Sequence, residues 1–209
     1  MMKILSQYFP GMTGEQSSKL EQFREWILFW NQRINLVSRK ETAHLEVHHI
    51  LFSLSIAQYV SFLPGSRILD AGTGGGFPGI PLAILFPESE FTLADSIEKK
   101  IRAVTNICRE LGLANVTPVT ARVEQLNGSF DFVVARAVAR LPEMIRLVKH
   151  KISPVYRHPV PNGILYLKGG EFGEELEGIP AEYHIYPLRE SFREPFLETK
   201  KLVHLYNLR

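Results

Sequence analysis

The sequence predicts an α/β protein that has a mostly parallel, Rossmann-like sheet with an antiparallel edge and an N-terminal helical extension. Helical periodicity without strand signals fills the first third of the chain, and short apolar runs alternate with helical stretches after Pro64. A glycine-rich loop follows the first of those runs. Strands that alternate with helices are typical of βα units around a parallel sheet.

The N-terminal third is predicted to be helical. From Glu15 onward, apolar residues recur every three or four positions, which is the spacing of one buried helix face, and Thr13 or Ser17 is the expected N-cap. A second helix is expected from about Glu41 to Phe62, and its apolar residues are too crowded for packing on one side only. We therefore expect a helical extension over residues 1–64 and a sheet domain over residues 65–209.

The sheet domain is predicted to contain five strands followed by a two-stranded edge. The strands are expected at Arg67–Asp70, Glu90–Ala94, Val116–Thr120, Phe130–Ala135 and Ile164–Lys168. Helices between them are expected at Gly79–Phe86, Ile97–Leu111 and Leu141–Lys149. Two late extended runs, His184–Pro187 and Lys200–Tyr206, are expected to form the antiparallel edge.

Composition excludes several classes of protein. The 209 residues are 45% hydrophobic, which suits one globular domain with a modest extension, and the net charge of +2 gives no general reason to expect a polyanionic partner. The single cysteine, Cys108, excludes an internal disulfide framework and favours a reducing compartment, so we expect a cytoplasmic protein. No segment predicts a membrane span, and the adjacent His48 and His49 lack the further ligands of a metal site. A monomer is expected because no long heptad seam is present.

The loop after the first strand carries the strongest functional signal. Its four glycines, Gly72, Gly74, Gly75 and Gly76, allow positive φ angles and let a ligand approach the backbone. The loop lies at the carboxyl end of a strand, where open α/β sheets bind ligands.

Two ligand classes fit this loop. Gly74, Gly76 and Gly79 have the spacing of a dinucleotide motif, and Asp95 follows at the end of the next strand. Asp70, however, would repel a pyrophosphate and attract the cationic sulfonium or ammonium group of S-adenosylmethionine. In that second interpretation, which the spacing favours, Gly72 and Gly74 line the methionine portion and Asp95 accepts both ribose hydroxyls.

Several motifs together resemble the bacterial small-subunit ribosomal RNA methyltransferase G family, also called glucose-inhibited division protein B. The resemblance covers roughly residues 15–177, and the Gly-Phe-Pro-Gly-Ile-Pro sequence after the glycines is its most specific part. The motifs, in order, are Trp30–Leu36, His48-His49, Asp70–Pro81, Asp95-Ser96 with Lys99-Lys100, Arg136-Ala137-Val138 and Leu167-Lys168-Gly169. The sequence departs from the family at Phe52, where a polar residue often precedes Ser-Leu.

The resemblance implies a class I methyltransferase fold that transfers a methyl group from S-adenosylmethionine to N7 of a guanine in 16S rRNA. The implied partner is the small ribosomal subunit or an assembly intermediate of it. Carried over by position, the resemblance places Gly72 and Phe77 in the cofactor loop and Asp95 at the ribose. It implies that Val123 and Glu124 flank the adenine and that Arg136 faces the methyl donor and the target base.

The chemistry of N7 requires positioning more than proton transfer, because this nitrogen has a free electron pair and no proton to lose. Arg136 is then expected to hold the carbonyl edge of guanine or a phosphate, and Lys168 to contact RNA phosphate. Two interpretations remain open for Arg33, Arg39 and Lys40: they contact RNA phosphates, or they only lie in solvent at the end of a helix. Two other functions remain: a dinucleotide oxidoreductase, for which no Tyr-x-x-x-Lys pair is present, and a non-catalytic RNA-binding or ribosome-assembly protein.

Overall fold

The computed structural model describes residues 3–208 and confirms the α/β fold with a seven-stranded sheet. The spatial order of the strands is β3-β2-β1-β4-β5-β7-β6. They are β1 (Arg67–Ala71), β2 (Glu90–Asp95), β3 (Val116–Thr120), β4 (Phe132–Arg136), β5 (Gly163–Gly169), β6 (Glu182–Pro187) and β7 (Lys200–Tyr206).

The first five strands are parallel, and β7 runs antiparallel to both β5 and β6. The antiparallel edge expected from the two late extended runs is therefore confirmed. In the centre, β1 pairs with β2 on one side and with β4 on the other, so the strand order reverses there. The crevice beside such a reversal, at the carboxyl ends of the strands, is where open α/β sheets bind ligands.

Six α-helical segments lie within the described part of the chain, together with 3₁₀ turns. Thr13 caps the long second helix: its Oγ1 accepts from the Gln16 amide at 3.2 Å, and the Gln16 side chain accepts from the Thr13 amide at 2.9 Å. This helix ends at Asn31, so Ile34 lies beyond it. The segments are α1 (Lys3–Tyr8), α2 (Gly14–Asn31), α3 (Phe52–Leu54), α4 (Gly79–Leu85), α5 (Glu98–Glu110) and α6 (Leu141–Val148).

The helical stretch expected over about Glu41–Phe62 is present, but it ends at Gln58 and is not one regular α-helix. The chain forms a 3₁₀ helix (Arg39–His44), a π-helix (Leu45–Leu51), the single turn α3 and a second 3₁₀ helix (Ser55–Gln58). Two serine hydroxyls bond back to the backbone here, Ser53 Oγ to the His49 carbonyl at 2.6 Å and Ser55 Oγ to the Phe52 carbonyl at 2.7 Å. Such bonds compete with regular helix geometry. Residues 49–56 are all buried, as the crowded apolar pattern indicated.

Each face of the sheet has its own hydrophobic core. The face with Phe91, Phe132 and Leu165 packs against α4, α5 and the N-terminal helices in one continuous cluster. The opposite face packs against α6 and the segment around Phe172. The N-terminal extension therefore lies directly on the sheet, and this contact brings the π-helix close to the carboxyl ends of β4 and β5.

Candidate functional site

The glycine loop between β1 and α4 is closed by the carboxylate of Asp70. Its Oδ2 accepts from the Thr73 hydroxyl at 2.6 Å and from the Gly79 amide at 2.8 Å, while its buried Oδ1 has no hydrogen-bond partner among the described residues. Burial raises the pKa of Asp70 to about 7. Within the loop Gly72 and Gly74 have positive φ angles of 71° and 58°. Asp70 lines neither of the two cavities described below, so its contribution is to hold the conformation of the loop.

A cavity of about 310 Å³, which we call the β1–β2 cavity, opens beside this loop. The Asp95 carboxylate, at the end of β2, lines it and is fixed by two backbone amides: Oδ2 accepts from Gly74 at 3.0 Å and Oδ1 from Ile97 at 2.9 Å. Four residues expected from the sequence to contact a cofactor lie on its lining: Gly72, Asp95, Val123 and Glu124. Sequence reasoning missed Ile97, Lys100, Arg122 and Val138, although their closeness in sequence to Asp95, Val123 and Arg136 was a signal.

A second cavity of about 460 Å³, the β4–β5 cavity, lies next to the first. Three cationic side chains line it, those of Arg136, Lys168 and Lys200, and among the described residues on its lining Glu41 is the single acid. The remaining lining residues are His48, His49, Phe52, Ala137, Ala139, Tyr166, Leu167, Gly169 and Phe196. Because Ala137 also lines the β1–β2 cavity, the two cavities meet at this residue.

Arg136, the last residue of β4, is held by the π-helix. Its Nη1 donates to the His48 carbonyl at 3.2 Å and its Nη2 to His49 Nδ1 at 2.8 Å. Burial lowers the pKa of Arg136 to about 10, so the guanidinium stays charged at neutral pH. Its carbon Cζ lies 5.1 Å from the ring centre of Phe77. Phe77 therefore packs beneath Arg136 and lines neither cavity.

Lys168, near the end of β5, is paired with an acid. Its Nζ lies 2.6 Å from Glu175 Oε2, and only 11% and 14% of the two side chains are exposed. The same carboxylate oxygen accepts from the Leu141 amide at 2.7 Å, at the start of α6. An ammonium group has three donors, so Lys168 keeps two for other partners in the cavity that it lines.

The loop between the two cavities is held by the hydroxyl of Tyr166. This oxygen accepts from the amides of Val138 and Ala139, at 2.9 and 3.0 Å, and donates to the Ala139 carbonyl at 2.7 Å. Ala137 has a φ angle of 54°, which is uncommon for a residue other than glycine. A Cβ atom added to Gly72 would lie 2.7 Å from Val138 Cγ2, so the loop packs closely on the glycine loop. Sequence reasoning gave no signal for the role of Tyr166.

Four further predicted residues lie outside both cavities: Gly74, Arg33, Arg39 and Lys40. The backbone amide of Gly74 donates a hydrogen bond to Asp95, which lines the β1–β2 cavity. Arg33, Arg39 and Lys40 are exposed after the end of α2, and the first two line a separate depression of about 360 Å³. Arg136, expected to face the methyl donor as well as the base, is on the lining of the β4–β5 cavity only.

The described residues show no metal centre and no membrane helix. No group of three or more histidine, cysteine, aspartate or glutamate side chains within residues 3–208 has the geometry to hold a metal ion. Over the same residues, no helix combines the length and the apolar character that crossing a bilayer requires.

Comparison with known protein families gives one match over most of the chain. Residues 16–203 match the family model described as rRNA small subunit methyltransferase G. A ribosomal RNA small subunit methyltransferase G from Christiangramia forsetii is 52% identical over 204 residues, which cover 98% of this chain and 96% of the relative. One from Bacteroides thetaiotaomicron is 47% identical over 203 residues, which cover 97% and 98% of the two chains.

Comparison with solved structures supports the fold alone. A variant of MtNAS in complex with S-adenosylmethionine gives a TM-score of 0.60 at 14% identity and covers 99% of this chain and 77% of that one. The precorrin-6y C5,15-methyltransferase from Geobacter metallireducens gives 0.54 at 13% identity, over 83% and 91% of the two chains.

Proposed function

We propose that this chain, since it belongs to the family of rRNA small subunit methyltransferase G, transfers a methyl group from S-adenosylmethionine to N7 of a guanine in 16S rRNA. The resemblance that its motifs indicate is thereby confirmed. The observation that carries the proposal is that the two cavities meet at Ala137. The β1–β2 cavity is lined by Asp95 at the end of β2, and the β4–β5 cavity is lined by cations and aromatic rings.

The β1–β2 cavity fits the methyl donor. Asp95 has one hydrogen bond on each oxygen, and a carboxylate oxygen can accept a second, so both oxygens are available to ribose hydroxyls. The missing side chain at Gly72 leaves the backbone open to close approach, at a position where a Cβ would also meet Val138. When bound there, S-adenosylmethionine supplies an electrophilic methyl group on a positively charged sulfur.

Each residue of the cofactor end then has a positioning task. Asp95 holds the ribose, Val123 and Glu124 lie beside the adenine, and Gly72 contacts the methionine portion. Asp70 acts through the loop that it closes, because its Oδ2 fixes both Thr73 and Gly79. Gly74 contributes its amide to the orientation of Asp95.

The β4–β5 cavity is the proposed site of the target guanine. N7 carries no proton, so the enzyme requires no general base, and alignment of the reacting atoms supplies most of the acceleration. Arg136 is charged and is oriented by its two hydrogen bonds to His48 and His49. In this proposal it donates to guanine O6. A donor on O6 leaves the N7 electron pair free. Arg136 is accordingly assigned to the base and not to the cofactor.

The proposed RNA contacts combine one partly buried and three exposed cations. Lys168 offers its two remaining donors to an RNA oxygen at the mouth of the β4–β5 cavity, while Glu175 fixes its position. Arg33, Arg39 and Lys40, exposed beyond α2, provide phosphate contacts that weaken as salt is raised. The proposed substrate is the small ribosomal subunit or an assembly intermediate of it, in the cytoplasm.

The test uses methyl-labelled S-adenosylmethionine and small subunits from cells that lack this gene. The expected product is 7-methylguanosine at one rRNA position, identified by nucleoside mass spectrometry. Label in another nucleoside, or no label at all, would overturn the proposal. For Arg136→Ala we expect a fall in turnover of about 100-fold, which is typical for one lost electrostatic donor, while the Kd of S-adenosylmethionine changes by less than about 3-fold.

A further inference from the structure

Glu41 differs in charge from the other ionised residues that line the β4–β5 cavity. Within the described part of the chain it is the one acidic residue on this lining, which also carries Arg136, Lys168 and Lys200. Its side chain is 37% exposed, although it belongs to the 3₁₀ helix that packs against the π-helix. A carboxylate is a poor neighbour for an RNA phosphate, so its presence in this cavity calls for another explanation.

The carboxylate of Glu41 is fixed from one side. Its Oε2 lies 2.8 Å from His48 Nδ1 and 3.6 Å from His49 Nε2, and the second separation is too long for a hydrogen bond. The hydrogen bond from His48 lowers the pKa of Glu41, so this carboxyl is ionised at neutral pH. Both histidine contacts use the same oxygen. Neither histidine contact uses Oε1, and Glu41 lies on the lining of the cavity, so we assign Oε1 to the substrate.

We propose that Glu41 is the residue that selects guanine, by accepting hydrogen bonds from N1–H and from the exocyclic amine of the target base. This inference rests on the proposed function, because it assumes that a guanine occupies the β4–β5 cavity. Arg136, proposed above to donate to O6, would then serve the acceptor that lies next to N1–H on the same edge of the base.

The pattern of donors on guanine suits a carboxylate. The N1–H and the exocyclic N2 amine are adjacent donors, and an ionised carboxylate has only acceptors. Adenine presents an acceptor at N1, which a carboxylate repels, and it lacks the amine at C2. A site built to bind a substrate donor rejects an analogue that lacks it, because the buried partner is left unpaired.

The same contact also strengthens during the reaction. As the N7–methyl bond forms and the sulfur–methyl bond breaks, positive charge moves to the base, and the N1–H becomes a stronger donor. A carboxylate that accepts from this group binds the transition state more tightly than the substrate. Interactions of this kind raise kcat rather than only lowering KM.

The experiment varies the enzyme and the base together. Small subunits are reconstituted with 16S rRNA that carries either guanosine or inosine at the target position, since inosine keeps O6, N7 and N1–H but lacks the exocyclic amine. The wild-type protein should prefer guanosine by about 10- to 100-fold in kcat/KM, as expected for one hydrogen bond to a charged group. Glu41→Gln should lose a similar factor on guanosine, and its preference for guanosine over inosine should fall close to one.

His48→Gln is the matched control, because it removes the imidazole that holds Glu41 while keeping the carboxylate itself. It should retain a clear preference for guanosine. If Glu41→Gln keeps the wild-type preference and loses only rate, Glu41 acts through the histidines and the inference is wrong. An unchanged Kd for S-adenosylmethionine shows that Glu41→Gln is folded. If the wild-type protein methylates neither subunit at N7 of the target, the proposed function itself fails.

Discussion

Arg136 Nη2 and His49 Nδ1 form a hydrogen bond of 2.8 Å between two residues that are 87 positions apart in the chain. A guanidinium group has only donors, so Nδ1 of His49 must be the acceptor and the imidazole must be neutral, with its proton on Nε2. Burial first, and the positive charge of Arg136 second, lower the pKa of His49 to about 3, in agreement with this arrangement.

Acidification is expected to lower the free energy of unfolding, because His49 takes up a proton in the unfolded chain and not in the folded protein. A histidine has a pKa of about 6.5 when unfolded and about 3 here, so below pH 6.5 the unfolded state takes up a proton that the folded state does not. Between pH 6.5 and pH 5 this linkage removes about 2 kcal/mol of stability. Asp70, with its pKa raised to about 7, has the opposite pH dependence.

Because Asp70 contributes its own pH dependence, the effect of His49 is measured as a difference in stability between two proteins that both retain Asp70. Urea unfolding of the wild-type protein and of His49→Gln is followed at pH 7 and pH 5. We expect the stability advantage of the wild-type protein to shrink by about 2 kcal/mol at the lower pH. A difference that stays constant between the two pH values would contradict the assignment of a neutral, buried His49.

Asp95→Asn should weaken cofactor binding because it replaces one carboxylate oxygen by a donor. Hydrogen bonds to charged groups contribute about 1.5–3 kcal/mol, so we expect the Kd of S-adenosylmethionine to rise about 10- to 100-fold in titration calorimetry. The matched control is Asp131→Asn. Asp131 is also buried and accepts from a backbone amide, that of Arg67 at 2.9 Å, but it lines neither cavity. Equal losses of affinity in the two variants would refute the role of Asp95.

Gly72→Ala tests the close approach between the glycine loop and Val138. Gly65 has nearly the same φ angle, 72° against 71°, but a Cβ there would meet nothing within 4 Å. Both substitutions cost roughly 1–2 kcal/mol of backbone strain. Only Gly72→Ala should also abolish measurable binding of S-adenosylmethionine.

A second substitution separates steric overlap from strain at this position. In Gly72→Ala combined with Val138→Ala, the overlap with Val138 Cγ2 is removed while the backbone strain remains, so we expect part of the affinity to return. Val138→Ala alone provides the reference for lost contact area. Failure of the double variant to bind better than Gly72→Ala would show that overlap with Val138 is not the cause.

Tyr166→Phe should lower the rate of methylation by loosening the loop between the cavities. It removes three hydrogen bonds and leaves the amides of Val138 and Ala139 unpaired, which costs about 1–3 kcal/mol of stability. Tyr8→Phe is the matched control, because the Tyr8 hydroxyl also accepts from a backbone amide, that of Arg193 at 3.0 Å, and Tyr8 lines neither cavity. Methylation rates and urea unfolding are measured for both. Similar stability losses with equal rates would contradict a positioning role for Tyr166.

The sequence predicts the lining of the β1–β2 cavity better than that of the β4–β5 cavity. The glycine loop and Asp95 are recognisable because glycines at positive φ and an acid at a strand end are local features, separated by one βα unit. The sheet with its antiparallel edge also follows from short-range periodicity. Of these residues, Gly72 and Asp95 line the β1–β2 cavity, whereas Gly74 lines neither cavity.

The lining of the β4–β5 cavity depends on contacts between distant segments, which spacing does not reveal. Glu41 and His49 meet Arg136 only because the N-terminal extension packs on the sheet. The π-helix was not predicted, since the crowded apolar residues of this stretch suit any buried helix. Lys168 was expected at the RNA, and its ion pair with Glu175 depends on the path of the chain after β5.

The two cavities are encoded by different parts of the gene. Every lining residue of the β1–β2 cavity is at or after Gly72, whereas one wall of the β4–β5 cavity comes from positions 41–52. If the target base occupies the β4–β5 cavity as proposed, inherited changes at positions 41–52 are expected to alter the choice of base while the β1–β2 cavity stays as it is.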